Sequence, residues 1–359
     1  MNQFQVAKLA KVSTATVSRT INGVATVDPV LARRVWRAIE QVGYYPNCQA
    51  RALVSGRSRI FGLLVSEISN PFFPEIVHTF TELGAKYDYE ILLTSVRRDS
   101  NDLEGVVRRM MERRVDGVAI LTFGSDDSLI EIFKSRKVPV FSVGIESPER
   151  LCRTVRVDYQ HGIRQAVQHL AALGHKRIAF VSGPPYLKSA STRKTAFEGC
   201  MVEIGLKTLP EISVQGDHTM EGGMKAMRQL ADLRTPPSAV VCSNDLTAIG
   251  VIRQAFDLSL EVPRDLSVVG FDDIHLARFT IPPLTTVQMS PAGIAASAFR
   301  ALLECVNCED SQFSRNVDVI KTQLVLRRST TLAESRRMKI GVRAIPPPCS
   351  RTSSGEIFT

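Results

Sequence analysis

Nowhere in this chain of 359 residues do about 18 apolar residues run together, so no membrane-spanning helix is expected. The N-terminus has neither the basic start nor the apolar core of a secretory signal peptide, which points to a cytoplasmic protein. The seven cysteines are odd in number and scattered, which argues against a disulfide framework and for reduced thiols. Cys305 and Cys308 form a CxxC pair, but zinc needs two further ligands at similar spacing and none stand nearby. These two read as residues of the amphipathic helix GIAASAFRALLECVNC, so no metal site is expected. Also absent are GxSxG, HExxH and GxxxxGKS, so no catalytic constellation and no cofactor are implied.

What is present is unevenly charged. Residues 1–59 hold nine Lys/Arg against two Asp/Glu. Residues 60–326 hold 29 against 32, and residues 327–359 hold seven against two. The basic charge therefore sits at the two ends of a near-neutral body. A basic N-terminal segment on a neutral body suits phosphate contact by that segment alone.

The most informative stretch is QVAKLAKVSTATVSRTING, Gln5 to Gly23. Val6, Ala7, Leu9 and Ala10 fall on one side of a helix. Val12 sits in a tight break, and Ala15, Val17 and Ile21 resume helical spacing. Ser13 is placed to cap the second helix. A third helix is expected over about Pro29 to Val42, capped by Asp28, with Pro29 at its first position and Gly43 at its end. Val30, Val35, Trp36 and Ile39 are expected to close the small core. Two helices across a tight break offer the outer face of the second to a DNA major groove. That face carries Thr14, Ala15, Ser18, Arg19 and Asn22, short or polar donors with one long cation, which suits base edges and phosphates.

Beyond Pro46, Asn47 can cap about two helical turns over Cys48 to Ser55, with Gly56 as the stop. A helix this short is marginal alone in water and forms only against a partner. From Arg59 onward apolar strands (IFGLLVS, YEILLTS, GVAILT, VPVFSVG, RIAFVSG, AVVCSN, LSVVGF) alternate with amphipathic helices. Such alternation implies α/β architecture with parallel sheets covered on both faces. Ligands on such sheets sit beyond the carboxyl ends of the strands, here the loops after Val65, Gly144, Ser182, Ser243 and Phe271. The stretch from Glu334 to Thr359 has little apolar periodicity and reads as disordered.

The motifs VAKLAKVSTATVSRTING, GYYPN, RALVSGRSR, SNPFFPEI, HLAALGHKRIAFVSGP, AVVCSNDLTAIGV, LSVVGFDDI and IPPLTTV, in this order, closely resemble the lactose/galactose repressor (LacI/GalR) family of bacterial regulators. The resemblance spans about Val6 to Thr330. It implies a small all-α helix-turn-helix headpiece (1–44), a hinge segment (45–58) and a two-lobed periplasmic-binding-protein-like body that binds effector and dimerises (59–331), followed by a tail (332–359). Crossovers between the lobes are expected near Asp158, Val287 and Val317. Thr14 and Ala15 take the two family positions that most strongly select operator sequence. Leu53, with Ala50 one turn earlier, matches the hinge leucine that the family wedges into the minor groove. For the effector the family implies Phe72 and Phe73 as stacking faces, and Ser189, Arg193, His218, Asn244 and Asp272 as ligand contacts. Asp245 and Asp273 read as structural.

Three departures stand out. Gly144 replaces an acid that binds ligand in many members. Lys11 replaces the usual turn glycine, and a left-handed conformation there costs roughly 1–2 kcal/mol. Met1 stands so close to helix one that only Asn2 is left as a cap, which suggests a start a few residues upstream.

The expected protein is thus a cytoplasmic homodimeric transcriptional regulator, a repressor. It would bind double-stranded, pseudo-palindromic operator DNA and answer to a small-molecule effector, a sugar or sugar derivative. The rival readings are the solute-binding protein of a transporter, disfavoured by the basic headpiece and the missing signal peptide, and an enzyme, disfavoured by the missing catalytic motifs.

Overall fold

The computed structural model describes residues 2–24, 26–44, 56–66, 68–95, 103–124, 127–144, 151–307 and 317–333. The chain divides into two units, one of residues 1–157 and 290–320, the other of 158–289 and 321–359. The chain thus passes between them at 157/158, 289/290 and 320/321, each within about three residues of the expected crossovers.

Unit 1 begins with three helices, α1 (Gln3–Ala10), α2 (Thr14–Ile21) and α3 (Pro29–Val42). Each has the cap its sequence calls for. The Asn2 side chain accepts from the Gln5 amide in a capping box, and Ser13 Oγ accepts from Thr16 N at 3.1 Å. Asp28 Oδ1 accepts from Val30 N and Leu31 N. Val6, Ala7, Ala10, Val17, Val35, Ala38 and Ile39 form their core. Three residues depart from expectation: Leu9, Val30 and Trp36 lie 45%, 55% and 47% exposed. The apolar stripe is narrower than the pattern implied, because the small residues Ala7, Ala10 and Ala38 bring the helices close and leave no room for larger neighbours.

The rest of unit 1 is a six-stranded sheet of β1 (Ile60–Val65), β2 (Glu90–Ser95), β3 (Gly117–Leu121), β4 (Val140–Val143), β5 (Cys152–Asp158) and β11 (Asp318–Lys321), in the order β11-β5-β4-β3-β1-β2. The pairs β2–β1, β1–β3, β3–β4 and β4–β5 are parallel. The accompanying helices are α4 (Phe72–Lys86), α5 (Leu103–Glu112), α6 (Asp127–Ser135) and α11 (Pro291–Asn307).

Unit 2 holds a second six-stranded sheet, of β6 (Ile178–Ser182), β7 (Ser213–Gln215), β8 (Ala239–Cys242), β9 (Ser267–Asp272), β10 (Thr285–Gln288) and β12 (Gln323–Val325), in the order β12-β10-β9-β8-β6-β7. Its helices are α7 (Tyr159–Ala172), α8 (Lys188–Glu203), α9 (Met220–Ala231) and α10 (Asp245–Asp257). Its other pairs are parallel, but β12 runs antiparallel to β10, a detail the strand patterns did not show. The buried His175, in the turn before β6, lies within hydrogen-bond distance of Ser238 Oγ, Ser267 Oγ and the Thr331 carbonyl. It thereby fixes one end of the sheet and leaves the carboxyl end to the loops that follow β6, β8 and β9.

Candidate functional site

The sequence points to two sites. In the first, α2 presents Thr14, Ala15, Arg19 and Asn22 as exposed side chains, with Ser18 partly exposed among them. Residues 14, 18 and 22 follow one another at one-turn spacing, so the five share one face. Asn22 Nδ2 reaches Ser18 Oγ at 3.4 Å. The opposite face is committed to packing through Val17 and Thr20. Lys11 adopts the left-handed conformation at φ 50°, ψ 48°, as the turn demands. Arg34 donates to the carbonyls of Ala10 (2.6 Å) and Lys11 (3.4 Å), which holds this turn against α3. The expected hinge residues Ala50 and Leu53 lie outside the described residues.

The second site is in unit 2, where Ser189, Arg193, His218, Asn244 and Asp272 come from four different loops or helix starts. Arg193 projects from the second turn of α8, one turn after the buried Ser189. Its guanidinium carbon lies 4.1 Å over the Phe271 ring and 5.1 Å over the Tyr159 ring. One terminal nitrogen donates to the Ser243 carbonyl, and the other lies 3.4 Å from Asp272 Oδ1. Both side chains are only 5% exposed. This ion pair is long and not aligned as a hydrogen bond, and both Asp272 Oδ1 and, separately, Arg193 Nε are buried without a hydrogen-bond partner. Such groups cost about 1–3 kcal/mol each. One buried donor and one buried acceptor on residues of opposite charge are groups that ligand hydroxyls, which both donate and accept, can satisfy.

The electrostatics follow from burial. Desolvation pushes the Asp272 carboxyl up to about 6, against the pull of Arg193. Burial, then the Arg193 charge, hold the His218 imidazole down at about 3, so the ring is neutral at ordinary pH. His218 Nε2 pairs with Ser243 Oγ at 2.9 Å. Its ring occupies the space a side chain at Gly183 would need: a Cβ there would come within 1.9 Å of Nε2.

The support beneath is rigid. Asp272 and Asp273 both have positive φ, 108° and 56°, strain of the kind that persists where surrounding bonds over-determine the backbone. Asp273 is paired with Arg327 and accepts from Gln288 Nε2 at 3.0 Å. The buried Asp245 accepts from Ile274 N at 2.8 Å and from Thr286 Oγ1. These two acids thus hold the loop after β9, in line with their expected structural role.

Other positions differ from their expected use. Asn244, read as a ligand-facing amide, caps α10 by accepting from Thr247 N (2.9 Å) and donates to the His218 carbonyl (3.1 Å). Both ends of its amide are engaged inside unit 2. Phe72 and Phe73 belong to unit 1. They are 3% and 7% exposed and pack edge-to-face with one another and against Phe123. Their rings are core here, with little face left for stacking. Gly144 follows β4 in the left-handed region at φ 79°, a backbone conformation that disfavours any side chain in the acid's place. Sequence reasoning missed Tyr159 and Phe271, the rings beneath Arg193. The only signal was their adjacency to the crossover at Asp158 and to the GFDD motif.

These features define a DNA-reading helix-turn-helix joined to a ligand-binding α/β body. Residues 5–47 match the model for bacterial regulatory proteins of the lacI family, and residues 167–330 match that for a periplasmic binding protein-like domain. The catabolite control protein A of Priestia megaterium is 33% identical over 308 residues, covering 85% of this chain and 92% of that protein. A crystal structure of the lac repressor dimer bound to operator and the anti-inducer ONPF aligns with TM-score 0.82 at 25% identity, over 92% of this chain and 99% of that one. The transcriptional regulator CelR in complex with cellobiose aligns at 0.69 with 29% identity, again over 92% and 99%. The chain belongs to the bacterial lacI family of DNA-binding transcriptional regulators.

Proposed function

We propose that the protein is a cytoplasmic, non-enzymatic repressor that binds a pseudo-palindromic operator as a homodimer and responds to a sugar or sugar derivative. Residues 1–44 read DNA, with Thr14, Ala15, Ser18, Arg19 and Asn22 facing the major groove. Residues 45–58 form the hinge, with Ala50 and Leu53 directed to the minor groove. Residues 59–331 bind effector and dimerise, and 332–359 form a tail. The observation that carries the effector reading is the buried Arg193–Asp272 pair with its two open hydrogen-bonding positions. Ser189 and His218 line the same place in unit 2, and Asn244 holds the His218 backbone; within unit 1, Phe72 and Phe73 are the residues assigned to effector by family resemblance. The solved relatives in complex with operator DNA and with cellobiose favour the same assignment.

The test is selection of duplexes from a randomised pool by the full chain, repeated with a panel of mono- and disaccharides. The reading predicts a two-fold symmetric consensus and at least one saccharide that changes retention of that duplex. Enrichment of no symmetric site, or indifference to every saccharide while the protein stays folded, would contradict it.

A further inference from the structure

The chain passes between its two units at 157/158, 289/290 and 320/321, and within unit 2 the segments beside these crossings converge on one glycine. Gly162 closes the first turn of α7, just after the first crossing. A Cβ there would run into Val287 Cγ1, on the strand β10 that leads to the second crossing, and into Thr322 Oγ1, just after the third. Hydrogen bonds close the same junction. Thr322 is buried, and its hydroxyl donates to the Asp158 carbonyl at 2.6 Å and accepts from Gly162 N at 2.9 Å. Gln165, one turn further along α7, accepts through Oε1 from Leu324 N of β12 at 2.8 Å. The effector pair is attached to these same segments. The Asp272 carbonyl accepts at 3.5 Å from the amide of Met289, the last residue before the second crossing. Its neighbour Asp273 accepts from Gln288 and pairs with Arg327, two residues beyond β12. The Arg193 guanidinium lies over the ring of Tyr159, the second residue after the first crossing.

We propose that Thr322 is a positioning residue for the response to effector: its hydroxyl locks the three crossing segments to one another, so that a saccharide held by Arg193 and Asp272 acts on all three at once. A ligand shifts a conformational equilibrium only by the difference in its affinity for the two states. Where the segments move independently, contacts made to one leave the populations of the others unchanged, and their share of the coupling is lost. A single hydroxyl suffices for the lock because it donates and accepts at once. Valine fills nearly the same volume but leaves the Asp158 carbonyl and the Gly162 amide without these partners, whereas serine keeps both bonds. Thr322 acts through the backbone of Asp158 and Gly162, so its loss is felt in the coupling between sites.

The proposal rests on the operator and effector reading above. The experiment uses full-length protein, the duplex that the wild type selects from a randomised pool, and the mono- or disaccharide of the panel that changes its retention most. Operator affinity is measured without saccharide and at saturating saccharide, on protein whose circular dichroism is the same in both conditions. The quotient of the two affinities is the coupling. A constant loss of folded protein cancels from it, so a merely structural role leaves it unmoved. Wild type is expected to show a quotient of about fivefold or more. Thr322→Val is expected to bring it to about twofold or less, and Thr322→Ser to keep the wild-type value. Gln165→Ala, which removes one bond at a half-buried position, is expected to lower it by less. Wild-type coupling in both Thr322→Val and Gln165→Ala would overturn the lock, as would a loss in Thr322→Ser equal to that in Thr322→Val. A wild type that no saccharide shifts would overturn the effector reading and the lock with it.

Discussion

At the scale of one residue, the chemistry of the proposed effector site centres on Asp272. Its carboxyl is raised to about 6 by burial, with Arg193 opposing. A ligand hydroxyl that donates to the carboxylate favours the ionised form, so binding must lower this value. By linkage, affinity then rises as pH increases through about 6, by up to about tenfold per pH unit. Calorimetry with the responsive saccharide at about pH 5 and pH 7 checks this, with Asp272→Asn expected to flatten the profile. Affinity that falls with rising pH would show that the group acts as a donor instead. Arg193 and Asp272 were legible in the sequence because each lies beside a motif at the carboxyl end of a strand. The rings of Tyr159 and Phe271 were not, because which strand ends lie together is a property of sheet order. The use of Asn244 as a helix cap follows from Ser-Asn-Asp preceding a helix, a local signal that the ligand-contact reading overrode.

At the scale of elements, the headpiece was read closely. The α3 limits and the caps Ser13 and Asp28 came from the local chemistry of helix ends, which sequence carries directly. The exposed Val30 and Trp36 were misjudged because periodicity gives the direction of a stripe but not its width. In the body, the long apolar strands were legible, while β5, β7, β10, β11 and β12 were not. β5 and β7 alternate or mix polar residues, and β10 is a short run, TTVQ, with a single apolar residue. The turn between α1 and α2 makes its own prediction. Lys11 sits at φ 50° with no space problem that a glycine would worsen. Lys11→Gly is therefore expected to stabilise the three-helix segment by about 1 kcal/mol. Amide exchange at Val17 and Val35 in the full-length protein measures it, as slower exchange. Faster exchange would mean that the lysine side chain contributes more than its backbone conformation costs.

At the scale of the whole molecule, a basic DNA-reading segment is joined to a near-neutral ligand-binding body. Regulation then requires that the effector favour one state of the protein and that this state differ in operator affinity. Coupling of this kind is typically about 5- to 150-fold in affinity and acts equally in both directions. The division of the chain at three crossovers gives unit 2 a covalent connection to unit 1 at Asp158, immediately before Tyr159, whose ring lies beneath Arg193. The measurement that bears most directly on this account is the operator affinity of the wild type and of Arg193→Ala, each with and without the saccharide that alters retention of the selected duplex. The account predicts that the saccharide shifts wild-type affinity at least about fivefold. Arg193→Ala should bind the same duplex with unchanged affinity in its absence and show no shift at the same concentration. A shift of wild-type size that survives in Arg193→Ala would place the effector elsewhere and contradict the account.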